Sequence, residues 1–125
     1  MKASLNAKGF TLIEVLVGLV ILAIGLLGIA GMQVTSVKGN YFSNNLTQAN
    51  YVAQDRIEFL KNKPIADAAL NAGSHSDGTW PSSEGTVFTR SYTVAVNGNL
   101  RTIAYRVEWN DGVNHSVTFT TIRCQ

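Results

Sequence analysis

The chain changes its hydrophobic pattern twice. From Phe10 to Met32 almost every position is apolar, Val15 to Met32 holds no charged residue, and Glu14 is the one acid near the start of the run. As a helix this stretch rises about 35 Å, more than the roughly 30 Å of bilayer hydrocarbon, so it predicts a membrane span over residues 10–32. From Gln33 onward Val34, Val37, Tyr41, Leu46, Ala49, Val52 or Ala53, Ile57 and Leu60 recur at steps of mostly three and four, with Lys38, Asn44, Gln48, Asp55 and Lys61 between them. That spacing predicts an amphipathic continuation of the same helix over residues 33–63, with one apolar stripe. Gly39-Asn40 is a place for a bend, and Pro64, which also restricts Lys63, ends the helix.

The second change, to strand-like alternation, comes near Val87. Phe88, Tyr92, Val94 and Val96 share one face of a first strand, Ile103, Tyr105, Val107 and Trp109 alternate in a second, and Val117 and Phe119 share a side of a third that runs from Val113 to Ile122. Period-two alternation marks half-buried strands, and Asn97-Gly98 and Asp111-Gly112 are suited to the hairpin turns between them. Residues 64–86 collect turn formers, among them Gly73, Asp77-Gly78, Pro81, Ser82, Ser83 and Gly85, and predict a loop with one or two helical turns at Ile65 to Leu70. The expected fold class is α+β: a long N-terminal helix whose outer half packs on a small antiparallel meander over residues 87–125. Neither element can bury its apolar side alone.

Length and charge narrow the function. A chain of 125 residues has material for one core. Ten Lys and Arg stand against eight Asp and Glu, and Lys2 and Lys8 lie in the first nine residues, so the remainder is balanced at eight against eight. A neutral body gives no general electrostatic reason to bind nucleic acid. Arg90, Arg101, Arg106 and Arg123 do not all fall on one strand face and are read as solubilising charges, as are Asp55, Arg56 and Glu58 on the helix. His75, Asp77 and Glu84 match no zinc or calcium spacing and are read as a solvated loop. His75 and His115 have no nucleophile beside them in a recognisable arrangement, no catalytic constellation is present, and no cofactor or metal is expected. The single cysteine, Cys124, cannot close a disulfide within the chain.

The apolar N-terminus admits several explanations. A secretory signal would have a shorter apolar region followed by a small-residue cleavage site, whereas this run ends in Gly31-Met32-Gln33. A plain anchor would place Lys2 and Lys8 on the cytoplasmic side and everything after Met32 across the membrane. It leaves Glu14 unexplained, since a charge within the bilayer costs on the order of 2.5 to 3.5 kcal/mol at the centre and less near the interface. Gly18, Gly25, Gly28 and Gly31 thin the same helix and would allow close approach of a neighbouring helix. No proline interrupts it.

The run Lys8-Gly9-Phe10-Thr11-Leu12-Ile13-Glu14-Val15-Leu16-Val17 resembles the type IV prepilin signature, a basic hydrophilic leader ending in Gly, then Phe, then a Thr-Leu-Ile-Glu apolar start. Continuing through Leu22 to Gln33 it is most similar to minor pilins of PilV type, and Asn50-Tyr51-Val52-Ala53-Gln54-Asp55-Arg56-Ile57-Glu58 is similar to the second half of the helix in such subunits. The resemblance implies a leader over residues 1–9, cleavage between Gly9 and Phe10 by a prepilin peptidase, N-methylation of Phe10, and an assembly role for Glu14. It also implies other major and minor pilins and an inner-membrane assembly platform as partners. The N-terminus would be cytoplasmic and the C-terminal domain periplasmic before assembly, and the mature subunit would enter a pilus or its tip. Two alternatives remain open at this stage: a pseudopilin of a type II secretion system, and a single-span anchored binding or enzymatic domain.

Overall fold

The structure, a computed structural model, describes residues 9–124; of the expected leader, residues 1–8 lie outside the described residues. One α-helix, α1, runs from Leu12–Asn62, followed by a short 3₁₀ helix at Ala68–Leu70 and four strands: β1 Gly73–Pro81, β2 Val87–Asn97, β3 Leu100–Asn110 and β4 Asn114–Cys124. The strands form one antiparallel sheet in the order β1-β2-β3-β4. Contacts divide the chain into two compact units, Met1–Asn40 and Tyr41–Gln125. The α+β layout is the expected one, and α1 stops just before Pro64.

Within the second unit the core lies between the outer part of α1 and one face of the sheet. Phe88, Ile103, Tyr105 and Val107 are wholly buried, with Tyr92, Val94 and Trp109 nearly so, and Ala49, Ala53, Leu60 and Leu70 meet them. Register explains the grouping. Tyr92 stands opposite Tyr105, which stands opposite Phe119; Phe88 stands opposite Trp109, which stands opposite His115. The side chains that alternate in sequence thus form rows across the sheet. Burying a side chain of this size stabilises by about 1.5–3 kcal/mol, so the rows hold the head together.

Two expectations are corrected. The expected apolar stripe on the helix begins at Val34, but Val34 and Val37 are 57% and 67% exposed; burial begins at Asn45 and continues through Ala49, Val52, Ala53 and Leu60. Local periodicity says that a face exists, not where a partner begins to cover it. The segment 64–86 is not a loop throughout, and the sheet has four strands rather than three. β1 pairs with β2 from Gly73↔Val94 to Pro81↔Val87. Asp77-Gly78, read as a turn, is a bulge: the register slips between Ser76 and Thr79 so that two residues of β1 face Arg90. Gly78 takes φ +74°, a conformation that suits glycine. The true turn follows at Ser82, whose amide donates to the Thr86 carbonyl at 2.8 Å while its Oγ accepts from the Glu84 and Thr86 amides.

The bulge aims Asp77 at α1. Arg56 donates through Nε at 2.7 Å and Nη2 at 2.5 Å to the two carboxylate oxygens, Tyr105 Oη donates at 2.5 Å, and Arg90 Nη2 donates to the Asp77 carbonyl at 2.8 Å. Burial works against the Asp77 charge, yet the hydrogen bonds from Arg56 and Tyr105 and the charges of Arg56 and Arg90 outweigh it and hold its pKa below the usual value. Burial, joined by the bond to Asp77, pushes the Tyr105 phenol above its ordinary range. Asp77 and Arg56 are therefore not solvated charges. Nor are three of the sheet arginines mere solubilisers: beside Arg90, Arg101 Nη1 donates to the Leu70 carbonyl at 2.6 Å, and Arg123 Nη1 to the Lys63 carbonyl. A fork of donors reaching a helix end satisfies carbonyls that the helix itself leaves open. Arg106 alone keeps to the surface, paired with Glu108 at 2.8 Å.

Candidate functional site

The candidate site is the start of α1. Gly9, Phe10 and Thr11 precede the first helical residue. Thr11 caps the helix: the Glu14 amide donates to its carbonyl at 3.1 Å and to its Oγ1 at 3.4 Å, and the Val15 amide donates to its carbonyl at 3.3 Å. A Thr followed three residues later by Glu is the spacing of a capping box, a local signal present in the sequence itself. It puts the Glu14 carboxylate in the first turn, at the positive end of the helix dipole. Among the described residues that carboxylate has no ion-pair or hydrogen-bond partner.

Nothing in the described fold requires glycine at position 9, because a Cβ built there meets no atom within 4 Å. The same holds at Gly18, Gly25, Gly28 and Gly31. Phe10 is 81% exposed, and every residue from Gly9 to Ser43 is exposed. α1 is long and apolar enough near the N-terminus to cross a membrane. The arrangement is therefore a short non-helical segment, an exposed aromatic, and a carboxylate four residues further on at the head of an apolar helix.

Residues 4–30 match the prokaryotic N-terminal methylation motif. The match takes in Gly9, Phe10 and Glu14 together and supports a type IV pilin-like protein, a pilin or pseudopilin handled by prepilin peptidase. No curated protein and no solved structure matches the chain. A long apolar helix with a four-stranded antiparallel sheet is consistent with a pilin fold, and the motif is consistent with an inner-membrane anchor and assembly with other pilins. The motif points to a structural role rather than an enzymatic one.

The other residues singled out in the sequence do not gather into a site. His75 stacks on Tyr92 at 4.9 Å between ring centroids, with Nε2 2.9 Å from the Asn71 carbonyl. Asp77 is committed to Arg56 and Tyr105, and Glu84 lies in the β1–β2 turn. Among the described residues no three His, Cys, Asp or Glu stand together as a metal site. His115 is held by Asp111 at 2.9 Å, stacks on Trp109 at 5.3 Å between ring centroids, and meets the Phe42 ring at a tilt of 56°. Cys124 is exposed and free.

Proposed function

We propose that the chain is a minor pilin of PilV type, stored in the inner membrane, cut between Gly9 and Phe10, N-methylated on Phe10, and then incorporated into, or priming, a type IV pilus. The observation that carries this reading is the motif match across residues 4–30. The helix start supports it. A protease needs extended backbone, and Gly9 and Phe10 lie just ahead of the capped turn. Among the described residues no packing contact demands glycine at position 9, which is in keeping with a requirement set by the peptidase. On this reading residues 1–9 are the leader, 10–32 the transmembrane and assembly segment, and the parts beyond lie on the periplasmic side. The partners are prepilin peptidase, other major and minor pilins and the membrane assembly platform.

Glu14 supplies the assembly chemistry. Cleavage frees a cationic amine at Phe10, and opposite charges about 4 Å apart at an effective dielectric near 20 attract by roughly 4 kcal/mol before desolvation is subtracted. That is enough to offset a carboxylate near the membrane interface. With no partner among its own chain's described residues, the carboxylate is available to the amine of an adjoining subunit. The type II secretion pseudopilin is the second reading, because the same motif match favours it equally; the genes flanking this one divide the two.

The test is the mass of the protein extracted from membranes. A chain that begins at methylated Phe10 is expected, and a chain that retains Met1 would return the protein to the class of plain anchors. Glu14→Leu should be cleaved and stable in the membrane yet depleted from sheared filaments, and recovery at the wild-type level would remove the pairing role.

A further inference from the structure

The two edges of the sheet are built differently. β1 carries the Asp77-Gly78 bulge and ends in Pro81. β4 is an unbroken run of 11 residues, in continuous register with β3 from Leu100↔Cys124 to Asn110↔Asn114. It contains no Gly, Pro or Lys, and among the described residues its backbone makes no hydrogen bond beyond that ladder. Soluble proteins guard long edges with bulges, prolines or lysines, because unpaired N–H and C=O groups template another strand. β1 is guarded in this way; β4 is not.

We propose that β4 accepts an added strand, supplied by the edge strand of a different pilin-like subunit held in the same orientation. The proposal rests on the reading that such subunits are anchored side by side. With four antiparallel strands, β1 and β4 run in opposite directions. A like-built neighbour in the same orientation therefore presents its first strand antiparallel to β4, the more stable pairing. This chain's own β1 is a poor donor, since its bulge and Pro81 interrupt the outer ladder, so a second copy is not the occupant. The chemistry of the strand agrees. The basic side chains of β4, His115 and Arg123, are already engaged with Asp111 and with the carbonyl at the helix end. Ser116, Thr118, Thr120 and Ile122 on the other face are uncharged and exposed. The half-buried Val117 and Phe119 leave an apolar row open at the edge. The occupant is thus an uncharged strand with apolar side chains at alternate positions, bound by backbone hydrogen bonds.

The experiment places p-benzoylphenylalanine at Ile122 of the full-length chain in cells that assemble it, and at Ser74 of β1 for comparison, and identifies photo-adducts by mass spectrometry. Expected is an adduct from Ile122 to another protein bearing the prepilin signature, and none from Ser74. Thr118→Lys combined with Thr120→Lys, both at exposed positions, should lower that adduct at least about tenfold, equivalent to ~1.4 kcal/mol of binding. Thr93→Lys, on the same face but in the central strand β2, should leave it unchanged. An adduct to a second copy, no adduct from Ile122, or equal loss with Thr93→Lys would overturn the proposal. The mass of the mature chain is measured in every strain. An unprocessed chain removes the pilin reading, whereas a processed and anchored chain without the Ile122 adduct removes only the edge.

Discussion

Leu12 to Met32 and Phe88 to Trp109 are both rich in large apolar residues, yet every residue of the first stretch is exposed, while Phe88, Ile103, Tyr105 and Val107 of the second are wholly buried. The difference lies in how the apolar groups are distributed around each element. In the strands they occupy every second position and share one face, so one packing partner from the same chain covers them. Around the first half of α1 they occupy all sides, and a helix apolar all round needs a surrounding medium or several neighbours. Its cover has to come from lipid or from other chains.

The comparison can be broken by making the same deletion in both regions. Trp80 and Trp109 are the chain's two tryptophans and both lie in the second unit, so fluorescence melting in micelles reports on the head alone. Phe88→Ala should cost the head about 3–5 kcal/mol, through lost burial and the cavity left behind. Leu22→Ala, in the exposed stretch, should leave the same melt unmoved. A parallel loss in both variants would mean that the head depends on the apolar segment.

A smaller effect is expected at the polar centre of the head. Asp77→Ala strands Arg56 and the Tyr105 hydroxyl, and because the side chains of Arg56 and Asp77 retain 29% and 13% exposure the cost should be about 2–3 kcal/mol, below that of a fully buried pair. It should depend on pH with a definite sign. The folded pKa of Asp77 is depressed, so its stabilisation is complete above the unfolded carboxylate value of about 3.9 and is lost as pH falls through the lower folded value. Wild type and Asp77→Ala melts should therefore converge in strong acid; a gap that persists there would remove the ion pair as its cause. Tyr105→Phe, which deletes one donor to the same carboxylate, should cost about 1 kcal/mol by the same measurement. Least of all, Val34→Thr and Val37→Thr should change head stability by less than about 0.5 kcal/mol, as expected of exposed positions.

What could be read in advance follows the range of the cause. Pro64, the alternation from Ile103 to Trp109 and the two Gly-containing turns are local signals, and each appears in the structure where its chemistry placed it. β1 could not be read this way. Its sequence, Gly-Ser-His-Ser-Asp-Gly-Thr-Trp-Pro, has few strand formers, and it is a strand because β2 offers it a ladder and because Arg56, 21 residues away, holds Asp77. No spacing rule joins those two residues. At the candidate site the methylation motif over residues 4–30 was legible because its signal is linear, and the Thr11 cap could have been added from its spacing to Glu14.

The bond from Arg123 to the Lys63 carbonyl spans 60 positions of the chain. A ribosome delivers α1 long before it delivers β4, and export of the chain would preserve that order. Until β4 has been made, the end of the helix lacks its arginine cap and the sheet lacks its fourth strand. Contacts of such long separation form late and slowly. The carbonyl beyond the end of α1 therefore keeps an open acceptor until β4 has been made and has paired with β3.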